Sequence, residues 1–129
     1  MENQNIARLM EEGAAFFPAE DKGRRPVWYL IPAWTGVALA DLAPGADTKW
    51  SFTSHLVRVR KGCEVPDHLH ESQWEWNAIL DGHGKMVLDG RDILFKPGDT
   101  FTTPPGVRHA VVADTEDVAL LAVFAPGPK

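Results

Sequence analysis

Turn residues set the rhythm of this chain. From Val27 onward, short runs rich in Val, Leu, Ile, Phe, Trp and Thr alternate with turn clusters. These are Ala43-Pro44-Gly45-Ala46-Asp47, Lys61-Gly62, Asp81-Gly82-His83-Gly84, Asp89-Gly90, Lys96-Pro97-Gly98-Asp99 and Pro104-Pro105-Gly106. Punctuation this dense leaves no room for long helices, and many short strands at such spacing build a sandwich or a barrel. The runs predict strands over 27–31, 35–42, 50–60, 74–80, 84–88, 92–96, 100–103, 109–113 and 118–124. No internal repeat or low-complexity tract interrupts them.

The N-terminal stretch reads differently. Ile6, Leu9, Met10, Ala14 and Phe17 fall at helical spacing between Asn3 or Asn5, candidate N-caps, and the breaker Pro18. A polar, aperiodic linker follows through Pro26. The expected organisation is therefore a short amphipathic helix with linker over 1–26 and one β-domain over 27–129. At 129 residues and 44% hydrophobic, the chain holds enough apolar material for one core and no second domain.

A net charge of -5 without any run of basic residues argues against nucleic-acid and anionic-membrane surfaces, which both rest on clustered Lys and Arg. Small molecules are the expected partners. The N-terminus has neither a basic n-region nor an apolar h-region, and no stretch approaches the roughly 18 apolar residues of a membrane span. A cytoplasmic location is the expectation. The single cysteine, Cys63, excludes an internal disulfide and reads as a small buried residue.

Chemistry concentrates in two spaced patterns. Gly62, His68, His70, Glu75 and Gly82 read G-x5-H-x-H-x4-E-x6-G, and Gly98, Pro104, Gly106 and His109 read G-x5-P-x-G-x2-H. On a strand, alternate residues share a face, so His68 and His70 are expected to present parallel imidazoles. Glu75 opens the next predicted strand, and the Pro104-Pro105-Gly106 turn bends His109 back over the sheet. Three imidazoles and one carboxylate make a divalent transition-metal site with one or two positions left for water or substrate. Fe or Mn is favoured; Ni, Cu, Co and Zn also suit such donors. The bland alternative, a barrel that keeps these residues but binds nothing, leaves buried polar groups without partners at about 1–3 kcal/mol each.

The two patterns resemble the two motifs of the cupin superfamily, and the resemblance covers most of residues 50–126. One position departs: Ala113 stands where the second motif often ends in Asn, which is not a ligand position. The resemblance implies an all-β fold, the double-stranded β-helix or jelly-roll barrel, usually dimeric. It also implies a metal held inside the barrel by His68, His70, Glu75 and His109. Glu75-Trp76 after H-x-H is locally similar to oxalate decarboxylases and oxidases, with the spacing before the Glu differing by one residue.

Around the site, alternation sends Trp74 and Trp76 away from a Glu75 that points inward, toward core or dimer packing. Asn77 shares the face of Glu75 and is a candidate hydrogen-bond partner or substrate contact. Arg58 and Arg60, two apart on one strand, either clamp a substrate carboxylate or remain solvated charges. Glu71, in the turn before Glu75, is a candidate for proton transfer or an ordinary turn residue. His55 and His83 lie outside the ligand pattern and are not assigned to the metal.

The expected function is a metal-dependent enzyme of dioxygenase or decarboxylase type acting on a small oxygenated or carboxylate metabolite. The alternatives are a non-catalytic binding or sensing module and a metal-dependent isomerase or lyase. The helix face and the sheet edges need cover, which a homodimer supplies.

Overall fold

A computed structural model of the chain describes residues 27–127. The expected N-terminal helix and linker lie outside them. Ten strands and one helical turn follow in order: β1 (Trp28–Leu30), β2 (Val37–Ala43), α1 (Gly45–Thr48), β3 (Thr53–Val59), β4 (Cys63–His68), β5 (Trp74–Asp81), β6 (Gly84–Leu88), β7 (Arg91–Phe95), β8 (Thr100–Thr103), β9 (His109–Ala113) and β10 (Val118–Ala125).

All pairings are antiparallel. They form a six-stranded sheet, β1-β2-β3-β10-β5-β8, and a four-stranded sheet, β4-β9-β6-β7. From β3 onward the chain crosses repeatedly from one sheet to the other. That is the jelly-roll arrangement, two Greek keys closed on each other.

The core fills the space between the sheets. Val37, Val57, Val59, Ile79, Val118, Leu120 and Ala122 come from the larger sheet; Val65, Met86, Phe95, Val111 and Ala113 come from the smaller one. Period-two alternation explains the selection: on β10, Val118, Leu120 and Ala122 point inward, while Ala119 and Leu121 face out to pack with Ala40 and Leu56 in a second, thinner cluster. The outer faces differ. The smaller sheet carries charge there, including the Lys85–Asp92 and Arg108–Asp67 ion pairs, whereas the larger sheet exposes Leu30, Trp74 and Trp76.

Two sequence expectations change. Helical geometry occupies Gly45–Thr48, where only a turn was expected, with Lys49 ending it in the left-handed region. A strand also forms over Cys63–His68, a run absent from the expected strands, and it includes Pro66 and Asp67. It tolerates them through an irregularity: opposite β9, Val65 pairs with Val111 but His68 pairs with His109, so β4 spends one extra residue between the two pairs. This bulge puts His68 instead of Asp67 on the inward face beside Val65, with Pro66 in the segment where ladder bonding lapses.

Candidate metal centre

The four expected ligand residues converge at one end of the space between the sheets. His68 ends β4, His70 follows it, Glu75 is the second residue of β5 and His109 begins β9. One potential donor atom from each lies within 4.8 Å of every other. Glu75 and His109 are buried, while His68 and His70 are half-buried.

The two turns that aim these groups are tied together. The Gly106 N–H donates to the carbonyl of His70 at 2.8 Å, so the proline-rich turn before His109 also braces the backbone at His70. Gly106 has a φ of +80°, a left-handed conformation that glycine adopts without cost. His68 and His70 do not lie parallel as simple alternation predicts. Their rings meet edge to face, 82° apart in plane and 5.0 Å between centroids, because β4 has ended before His70.

Hydrogen bonds fix which ring nitrogens face inward. His68 Nδ1 lies 2.7 Å from the Pro66 carbonyl and His109 Nδ1 lies 3.0 Å from the Val107 carbonyl. A carbonyl only accepts, so each Nδ1 carries its hydrogen and each Nε2 is left for the centre. His109 Nε2 stands 2.9 Å from Glu75 Oε1, and His70 Nε2 stands 3.1 Å from the same oxygen. Asn77 Nδ2 donates to the other carboxylate oxygen at 2.8 Å. Asn77 and Glu75 share the inward face of β5, and Asn77 is fully buried.

Electrostatics follow from this packing. Burial alone raises the Glu75 carboxyl, but hydrogen bonds from His109, His70 and Asn77 outweigh it and hold the group down to about 2. Burial likewise works against a charged His109, yet the Glu75 contact lifts its pKa above the ordinary histidine value. Burial dominates at His68 and lowers its pKa.

The donor set suits a divalent cation. An oxygen acceptor opposite Nε2, with Nδ1 already donating, requires either a proton or a metal between His109 and Glu75. Three imidazole rings with centroids only 4.3–5.4 Å apart repel if several are protonated. A metal ion removes both difficulties at once.

The cluster opens on a cavity of about 130 Å³ with largely apolar walls from Trp34, Leu39, Val57, Val65, Val111, Leu120, Ala122 and Phe124. Trp34 lies 5.5 Å from the His68 ring, and Phe124 meets His70 edge to face at 5.0 Å. His55 also lines this cavity. Sequence reasoning left Trp34, His55 and Phe124 out of the site. The available signal was alternation on β3 and β10, neighbours in the larger sheet, which puts Thr53, His55 and Val57 on the same inward face as Ala122 and Phe124.

The remaining candidates lie elsewhere. Arg58 points outward on β3 and stacks on the Trp28 ring at 4.2 Å, and Arg60 is exposed beyond the strand. Neither lines the cavity. Glu71 is exposed in the turn before β5 and likewise does not line it. Trp74 and Trp76 face away from the cluster, but on the solvent side of the larger sheet instead of in the core. His83 is exposed, 3.2 Å from Glu116. Cys63 packs at the edge of the main core, away from the cluster.

A small jelly roll with three histidines and one glutamate gathered between its sheets defines a cupin-type protein. The family model for the cupin domain matches residues 55–124, more than half of the sequence, and the chain belongs to that family. It is 35% identical over 71 residues to an acireductone dioxygenase from Leishmania infantum; the match takes in 49% of this chain and 20% of that protein's length. Among solved structures it is similar to a predicted oxalate decarboxylase from Thermotoga maritima, with 26% identity, a TM-score of 0.70, and coverage of 78% of this chain and 91% of that one. It shares the fold of KdgF from Halomonas sp. at 21% identity and a TM-score of 0.72, over 88% of this chain and 94% of that one.

Proposed function

We propose that the protein is a metal-dependent enzyme of dioxygenase or decarboxylase type that acts on a small oxygenated or carboxylate metabolite. The observation that carries this reading is the convergence of His68, His70, Glu75 and His109 on one point beside an apolar cavity. The stretch similar to an acireductone dioxygenase and the likeness to a predicted oxalate decarboxylase support it.

In this reading His68 and His109 offer Nε2, held inward by their bonds to the Pro66 and Val107 carbonyls, and His70 and Glu75 complete the set. Asn77 fixes the Glu75 carboxylate. Fe(II) or Mn(II) is favoured for this mixed nitrogen and oxygen set, with Ni, Zn, Cu and Co as competitors. Such an ion, when bound, polarises a substrate oxygen or supports oxygen chemistry. The apolar walls exclude water, and their small volume selects a compact substrate.

The protein also pairs with a second copy of itself in this reading. Trp74 and Trp76, exposed two residues apart on the outer face of β5, support that pairing.

The test is to load the metal-free protein with Fe(II) or Mn(II) and incubate it with small carboxylates, enediols and catechols, following products by mass spectrometry. Turnover lost in His70→Ala, with the fold retained, is the expected result. Metal-loaded protein that binds these compounds without ever transforming them overturns the enzyme reading.

A further inference from the structure

The larger sheet supplies a second polar group to the cavity, on a wall that is otherwise hydrocarbon. His55 sits on β3, directly opposite Asp41 on β2 and Ala122 on β10. Its Nδ1 lies 2.8 Å from Asp41 Oδ1, and its Nε2 lies 3.1 Å from the Thr53 hydroxyl. The same Asp41 oxygen accepts a 2.7 Å hydrogen bond from the Tyr29 hydroxyl.

A carboxylate oxygen only accepts, so Nδ1 carries a hydrogen, and in the neutral ring Nε2 then keeps its lone pair. The Thr53 hydroxyl is then the donor to Nε2. Tyr29 strengthens the arrangement: burial, and next its bond to Asp41, push the phenol up to about 12, so it remains a donor at every ordinary pH. The neutral imidazole is thus held in one tautomer from its half-exposed end, and its ring lines the cavity.

The position matters as much as the tautomer. Phe124 stands between the two polar ends, its ring 5.7 Å from His55 on one side and 5.0 Å from His70 on the other. Leu39, Val57 and Leu120 continue the apolar lining. A ligand filling this space meets the metal cluster at one end, hydrocarbon along its length and the His55 ring beside it.

We propose that His55, oriented by Asp41, is a recognition residue whose Nε2 accepts a hydrogen bond from a hydroxyl of a small hydroxylated carboxylate, the carboxylate lying at the His68–His70–Glu75–His109 cluster. The ligand hydroxyl takes the place of the Thr53 hydroxyl as the donor to Nε2. Asp41 acts through His55 as a positioning residue. This assignment rests on the metal-centre reading and adds to it the chemistry of the ligand's second end.

The test uses Zn(II)-loaded full-length protein and three matched pairs of probes, glycolate with acetate, 3-hydroxypropionate with propionate, and 4-hydroxybutyrate with butyrate, titrated calorimetrically. In at least one pair the hydroxyl is expected to tighten binding about tenfold, the increment of one well-placed hydrogen bond. That increment, read as the ratio of the two affinities within each pair, disappears in His55→Phe. Asp41→Asn, at the exposed end of the dyad, reduces the increment and releases the tautomer, read as a change in the His55 ring nitrogen shifts by NMR. Retained zinc stoichiometry in each variant reports an intact barrel.

An increment that persists in His55→Phe, or no increment in any pair for the native protein, overturns the proposal. Carboxylates that bind equally well after zinc is stripped overturn the metal-centre reading instead. If His55→Phe fails to hold zinc, the Asp41→Asn result decides alone: an unchanged increment and unchanged ring shifts refute the role of the dyad.

Discussion

Glu75 and His109 stand 34 residues apart in sequence and in different sheets, yet Glu75 Oε1 lies 2.9 Å from His109 Nε2. That contact joins the two sheets at the cluster. Its geometry calls for a cation between acceptor and imidazole, whether proton or metal. This contact, the backbone that aims it and the outer face of the larger sheet each have a measurable consequence.

The first concerns acid. In metal-free protein the Glu75 carboxyl titrates near 2 instead of at its ordinary value of 4.5. A lowered value contributes stability that is fully present above about 4.5 and drains away as pH falls toward about 2, worth on the order of 3 kcal/mol. His109 has a raised value, so its contribution is complete below about 6.5 and fades as pH rises through its folded value. Urea unfolding of metal-free protein should therefore show this pair's contribution peaking between those limits. In Glu75→Gln the peak should flatten, and an unchanged profile would contradict the pairing.

Asn77 holds the carboxylate from behind without offering itself as a ligand. Asn77→Ala removes a fully buried amide and leaves Glu75 Oε2 unsupported. Metal affinity, measured by competition with a chelator, should fall about 10–100-fold with stoichiometry preserved. Unaltered affinity would mean that the carboxylate is fixed by other means.

Two glycines separate conformational cost from steric cost. At Gly106 a Cβ meets nothing within 4 Å, so Gly106→Ala should cost only about 1 kcal/mol for its left-handed backbone. At Gly82, with φ of +85°, a Cβ stands 2.1 Å from the Asp117 carbonyl oxygen. Gly82→Ala should cost clearly more in the same urea titration. Equal costs would refute the close approach of the β5–β6 turn to the chain before β10.

The exposed tryptophans give a fourth test. Trp74→Ser with Trp76→Ser removes the largest apolar groups on the outer face of the larger sheet, and neither touches the cavity. Light scattering should report a dimer for the native chain and a monomer for the double variant, with metal content unchanged. A native monomer contradicts the proposed pairing.

Much of the fold was legible because alternation and turn residues are local. Glu75 inward implied Trp74 and Trp76 outward, and the Gly and Pro clusters marked nearly every strand end. The strand over Cys63–His68 was hidden because its bulge is justified only by the pairing of Val65 with Val111 and His68 with His109. Arg58 was undecidable for a different reason. On β3 both faces are apolar, with Val57 and Val59 on one and Leu56 on the other, so period two says which residues share a face and not which face is inside. The four residues of the cluster were readable from spacing, whereas Trp34, His55, Asp41 and Phe124 belong to no short pattern. Tertiary pairing alone brings them to the cavity.

Metal content tests the central claim most directly. Metal-free protein reconstituted with Fe(II) or Mn(II), desalted and assayed by elemental mass spectrometry, should retain close to one ion per chain, and His109→Ala with Glu75→Gln should retain almost none. Native protein that keeps no metal after reconstitution, or a double variant that keeps as much as the native chain, contradicts the assignment of His68, His70, Glu75 and His109 as the metal centre.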